Sequence, residues 1–388
     1  MRLSIRQIIT VSALLALTAC AAAPNLVGLG HGNSSSLIST DVTTQTLFVA
    51  TSRQRSKDAA EFYSGERSQV MQLASVNVTV PPNHKTGQIE QPISGQPDPK
   101  RHFTIARPLV FDGGTAFRSN LNQALANRAV GDRSVLVFVH GYNTNFSAAV
   151  LRLAQFVHDS KFKGVPVLFT WASRGRALDY AYDTNSALQA RFYMLELARM
   201  LADTEAESFS LVAHSMGNLV TLETMTALRK ANFQPRAPLN SVILASPDVD
   251  IDLFREQIRE LGPIKDRLFI LISQDDKALQ LSRTIAGGVS RAGDADPELL
   301  ASMGLKVVDL SKIDDRSNTN HSKFADSPEI VQLIGRRLRA GNTLNTNASS
   351  PTQALVGSAF RGFTRVQSVL PGGGGGGIVT LGSAEPQN

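Results

Sequence analysis

Along most of the chain, short apolar runs alternate with amphipathic stretches. The run at 134–139, SVLVFV, is continuously apolar after its first residue, which is the pattern of a strand buried on both faces. After it, Phe146, Ala149, Val150, Leu153, Phe156 and Val157 recur at helical spacing and predict one helix face. Further strands are predicted at 165–171, 209–213, 242–245, 267–272 and 306–310. Helices are predicted at 176–202, 218–229, 253–261 and 327–339, the last with Ser327 as cap and Pro328 as first helical residue. Two strands precede the series, at 46–51 (TLFVAT) and 69–80 (QVMQLASVNVTV). Residues 83–102, with Gly and several Pro, read as a loop. Strands alternating with helices predict an α/β fold with a mostly parallel central sheet and helices on both faces.

The ends of the chain break this pattern. Residues 1–19 join a short basic segment (Arg2, Arg6) to an apolar run too short to span a bilayer comfortably, as in a signal peptide. The run closes as Leu17-Thr18-Ala19-Cys20, which resembles the lipobox of bacterial lipoproteins, in which the cysteine is lipidated. Cys20 is the single cysteine, so no internal disulfide forms. Ala21 follows it and no Asp is there, which resembles the signal for outer-membrane delivery in Gram-negative lipoproteins. The expectation is a protein anchored in the cell envelope by lipid at Cys20, at the outer membrane and facing the periplasm. Residues 20–44 read as a flexible tether, 45–341 as the folded domain, and 342–388, with six consecutive glycines at 372–377, as a disordered tail.

Composition narrows the function. Apolar residues at 42% and charged residues at 19% suit a globular core. The formal charge of +6 is spread along the chain, without a dense Lys/Arg block, a zinc-spaced Cys/His set or aromatic–basic interleaving. Nucleic acid is therefore not an expected partner, and no metal or cofactor is implied.

The chemistry centres on LVAHSMGNLV at 211–220, where an apolar strand breaks into His214-Ser215-Met216-Gly217 and a helix follows. Ala213-His214-Ser215-Met216-Gly217 matches the G-x-S-x-G nucleophile elbow with Ala in the first small position. A serine nucleophile needs a base, and the base an acid, in the chain order Ser, acid, His. Of the seven histidines only His321 follows Ser215, in the polar loop after the last predicted strand. The acid is expected after the strand at 267–272, where Asp275 and Asp276 stand side by side. Asp276, which begins a helical stretch, is preferred. Asp275 with the roles exchanged stays open, and Asp248 and Asp250 are fallbacks. The oxyanion donors are expected to be the backbone N–H groups of Met216 and of Tyr142, in the His140-Gly141-Tyr142 loop after 134–139. The side chains of His140 and His214 are expected to be structural. Trp171 reads as a core aromatic before it reads as pocket lining.

The segments FVATSRQ, VFVHGYNTNF, LFTWASRG, LVAHSMGNLV, ILASPDVD, QDDKALQLS and NHSKFADSP occur in the order found in a bacterial family of α/β-hydrolase-fold proteins, domain of unknown function 900. The resemblance spans about residues 47 to 339. It implies an α/β-hydrolase fold and a triad matching Ser215, Asp276 and His321. The short interval between 245 and 267 leaves no room for a large cap, and residues 281–305 are the stretch expected to cover the site in part. The resulting expectation is a serine hydrolase acting on a small-molecule or lipid acyl substrate. An acyltransferase and a non-catalytic envelope binding module are the alternatives.

Overall fold

The computed structural model describes residues 42–58, 60–93, 97–313, 319–340, 366–369 and 377–382. Its strands are β1 (Thr43–Arg55), β2 (Tyr63–Val80), β3 (Thr104–Val110), β4 (Ser134–Val139), β5 (Val165–Thr170), β6 (Ser208–His214), β7 (Leu239–Ala245), β8 (Leu268–Ile272), β9 (Lys306–Lys312), β10 (Val366–Val369) and β11 (Gly377–Gly382). Its helices are α1 (Gly114–Ala126), α2 (Phe146–Asp159), α3 (Tyr180–Ala202), α4 (Gly217–Lys230), α5 (Ile251–Leu261), α6 (Lys277–Ile285), α7 (Pro297–Ser302), α8 (Lys323–Asp326) and α9 (Pro328–Ala340). One sheet runs β10-β11-β9-β8-β7-β6-β4-β5-β1-β2-β3. From β11 to β1 the pairings are parallel, whereas β2, β3 and β10 attach antiparallel.

The continuous apolar run of β4 has a direct cause. Val135, Val137 and Val139 enter a core shared with α1, α3, α4 and α5, while Leu136 and Phe138 enter a second core shared with α2 and α9. A strand covered on both faces has no solvent side to alternate with. β4 lies between β5 and β6, so the chain leaves β4 to one side and later returns to the other. That reversal opens a crevice at the carboxyl ends of β4 and β6, the place where such sheets bind ligands.

The predicted strands and helices are present with shifted ends, and the structure adds elements. β3 carries Pro108 beside a register shift opposite Ser75–Asn77, on an edge strand where a missing N–H is tolerated. α1 buries only Phe117, Leu121 and Leu125, too narrow a stripe to stand out in an Asn-rich segment. Within 342–388, which sequence reads as disordered, β10 and β11 form and extend the sheet beyond β9. The reason is the run GIVTLG, whose Ile378 packs in one core and whose Val379 and Leu381 pack in the other. Likewise β1 begins at Thr43, inside the stretch read as tether. The signal segment 1–19, Cys20 and residues 21–41 lie outside the described residues. Among the described residues no helix is long and apolar enough to cross a membrane. The β7–β8 connection holds only α5 and a short 3-10 turn, as its length predicts.

Candidate active site

β6 ends at His214 and α4 begins at Gly217, so Ser215 stands on a two-residue strand-to-helix turn. Its φ is 52°, a left-handed conformation that costs a non-glycine residue about 1–3 kcal/mol and persists only when its surroundings impose it. The surroundings do. The Ser215 N–H donates to Ala245 O at 3.0 Å, and Ser215 O accepts from the backbone N–H of Asn218 and Asp248 and from Asn218 Nδ2. Gly217 is required by closeness: a Cβ there would lie 2.4 Å from His140 O. Ala213 is fully buried, so the first small position accepts a methyl group.

Asp276 and His321 meet between the end of β8 and the loop before α8. Asp276, fully buried, accepts from His321 Nδ1 at 2.7 Å through Oδ2. Its Oδ1 caps α6 by accepting from Ala278 N and Leu279 N, both at 3.0 Å. With the Nδ1 proton held by Asp276, Nε2 is the basic nitrogen of His321. Asp276 is thus both cap and partner. Asp275, the alternative, bonds Lys323 Nζ (2.8 Å) and Asn320 Nδ2 (2.8 Å) and not His321. The fallback Asp248 is taken by Arg291 Nε (2.8 Å) and Ser282 Oγ (2.6 Å), and Asp250 caps α5. His214 Nε2 donates to His321 O at 3.0 Å, and the two rings lie 4.6 Å apart. Burial, then the neighbouring His321, holds His214 well below the ordinary histidine range, so it is a neutral brace between the elbow and the His321 loop.

The loop His140–Asn145 faces the elbow from the end of β4. A Cβ on Gly141 would lie 2.7 Å from Ser215 Cβ, so only glycine lets the two backbones meet. Asn143 has φ 54°, and Asn145 caps α2 through Ala148 N. Beneath the loop lies Arg53, fully buried at the end of β1. Its guanidinium donates to Thr170 Oγ1 (2.8 Å), Ser173 O (2.7 Å), Thr144 O (2.6 Å) and Ser64 O (3.2 Å). Desolvation lowers its pKa to about 10, which leaves it charged at neutral pH. Asp183 on α3 completes the network, accepting from Ser173 Oγ at 2.5 Å and from Arg174 N at 3.1 Å. Burial raises its carboxyl above the usual range.

His140 is structural, as expected. Its ring accepts from Trp171 N, bonds Thr170 Oγ1 at 2.9 Å and Gly141 O at 2.8 Å, and stacks on Trp171. Burial, reinforced by the Arg53 charge, brings its pKa down to about 3. Trp171 is fully buried and is a core residue. The Tyr142 hydroxyl donates to Ala177 O, which ties the His140–Asn145 loop to the segment after β5. Sequence reasoning missed Arg53. Its one signal is a charge at the end of the apolar run FVATSR. A cavity of about 520 Å³, walled by Met194, Leu197, Phe209, Met225 and Leu239, lies at the amino-terminal half of β6 and β7, away from Ser215 and His321.

The sequence matches the profile of a family described as alpha/beta hydrolase of unknown function (DUF900) over residues 114–337. The chain belongs to this family, and the sheet order and elbow are those of an α/β hydrolase. A search of curated proteins finds no match. Among solved structures, a Rhizomucor miehei esterase is similar at 11% identity and TM-score 0.37, covering 89% of this chain and 94% of that one. A Pyrobaculum calidifontis esterase follows at 11% identity and TM-score 0.33, covering 87% and 94%. A peroxisomal α/β-hydrolase of Saccharomyces cerevisiae stands at 10% and 0.27, covering 78% and 87%. At these scores the activities of the three proteins carry no weight for this one.

Proposed function

We propose that this protein is a serine hydrolase that cleaves an ester or related acyl bond through an acyl-enzyme. The observation that carries the reading is the 2.7 Å bond from His321 Nδ1 to buried Asp276, beside a serine held at positive φ. Ser215 Oγ attacks the carbonyl carbon while its proton passes to His321 Nε2. Asp276 holds the Nδ1 proton and stabilises the imidazolium. The backbone N–H groups of Met216 and Tyr142 receive the developing oxyanion. Collapse breaks the acyl–oxygen bond, and the leaving alcohol takes the proton from Nε2. Water then attacks the acyl-enzyme by the same steps, regenerating Ser215.

Apolar side chains exposed on and after α6, the helix that Asp276 caps, favour an acyl substrate with an apolar portion. Leu281, Ile285 and Val289 are 38%, 54% and 36% exposed. The reading extends to location, with Cys20 as the lipidated residue that tethers the enzyme in the envelope. The test of activity is turnover of p-nitrophenyl esters from acetate to palmitate by wild type and Ser215→Ala. Turnover by wild type alone supports the reading, and equal rates for both proteins sink it. For the anchor, palmitate labelling in cells is expected to vanish in Cys20→Ser.

A further inference from the structure

We propose that His84, His158 and Asp159 form a binding site for a divalent transition ion of the zinc class, which fastens the β2–β3 loop to the end of α2. One candidate ligand atom from each residue lies within 4.8 Å of the others. Tetrahedral zinc with bonds near 2.0–2.1 Å sets its donors about 3.3 Å apart, inside that spread. His84 Nε2 already meets Asp159 Oδ1 at 2.7 Å. An ion would replace the proton of that bond and open it by about 0.6 Å.

The surrounding shell is the kind that orients metal ligands. His84 Nδ1 is held by Glu90 Oε2 at 2.8 Å, the carboxylate–histidine arrangement that fixes a ligating ring. Asp159 Oδ2 is fixed by Gly87 N at 2.8 Å and Gln155 Nε2 at 2.6 Å, which leaves Oδ1 directed at His84. Glu90 Oε1 is fixed by Lys85 N at 2.9 Å.

Two features argue for more than an ion pair. First, two carboxylates converge on one imidazole, so the cluster stays negative even with His84 protonated. A divalent cation beside two neutral imidazoles would balance it. Second, His158 packs edge-on to His84 at 5.1 Å between ring centroids, and its ring has no hydrogen-bond partner among the described residues. A metal would draw that ring's donor into the same site as those of His84 and Asp159. Imidazole and carboxylate donors suit zinc over magnesium.

The site also bears on the base loop. Gln155 Nε2 donates to Ala325 O (2.9 Å), Arg152 pairs with Asp326 (2.6 Å), and a Cβ at Gly87 would lie 2.2 Å from Asp326 O. α8, which follows His321, therefore rests on the segment the ion would fasten. The inference does not depend on the hydrolase reading.

The test uses the full chain carrying Cys20→Ser, since a thiol would compete for zinc. The protein is stripped with EDTA and titrated with zinc against a chromogenic chelator. One equivalent is expected to bind, and zinc to raise the melting temperature while magnesium does not. His158→Gln removes one donor but keeps the His84–Asp159 bond, so it is expected to fold and to bind on the order of tenfold more weakly or worse. Ser215→Ala is expected to bind zinc as wild type does, which separates this site from the catalytic one. Absence of stoichiometric zinc binding, or equal affinity in folded His158→Gln, would overturn the proposal.

Discussion

The β6–α4 turn that carries Ser215 and the β4–α2 loop that faces it both present backbone to one point in space, by different physics. The turn is built by close backbone packing: a strained serine, small residues two positions to either side (Ala213 and Gly217), and bonds to Ala245 and Asn218. The loop is built at a distance. Arg53 reaches it from β1 and Asp183 from α3, through carbonyls and hydroxyls at Thr144, Thr170 and Ser173. The turn is held under strain by its neighbours, whereas the loop is held by a buried charge whose bonds must all be made. Changes in the first should alter chemistry with little loss of stability, and changes in the second should alter both.

The largest effect is expected at the turn. Ser215→Ala should lower kcat/KM for an ester by about 10⁴-fold or more with an unchanged melting temperature. The loop comes next. Arg53→Met should destabilise the fold by about 3–5 kcal/mol in chemical denaturation, because several buried acceptors lose their donor at once. An Arg53→Met protein as stable as wild type would contradict the contrast.

The histidine under the loop should confer acid sensitivity. In the unfolded chain His140 takes up a proton near the ordinary value of 6.5, while in the fold it stays neutral down to about 3. The unfolded state therefore binds the extra proton as pH falls. Stability is full above 6.5 and is lost progressively toward 3, by about 2 kcal/mol between pH 6.5 and 5. Denaturation curves should show that slope in wild type and a flatter one in His140→Gln. The smallest effect returns to the turn. Ser215→Gly relieves the positive φ and should stabilise by about 1 kcal/mol in the same assay while abolishing turnover.

The strand–helix alternation and the serine, acid and histidine candidates were legible because each rests on local pattern or chain order. The choice between Asp275 and Asp276 was not, since neighbours in sequence look alike. In the fold the two part: Lys323 and Asn320 bond Asp275, and His321 reaches Asp276. Arg53 was illegible because its partners Thr144, Thr170 and Ser173 stand 91, 117 and 120 positions away. The His84–His158–Asp159 cluster was hidden for the same reason, with 75 positions between His84 and Asp159. β11 was masked by the glycines before it, although GIVTLG alone has strand character.

The central claim is that Ser215 is an activated nucleophile supported by His321. The most direct measurement is labelling of the purified protein with a fluorophosphonate, followed by mass spectrometry of the modified peptide. The account predicts one adduct, on Ser215, in wild type and none in Ser215→Ala or His321→Ala. A folded wild-type protein that takes no label, or an adduct on a different residue, would contradict it.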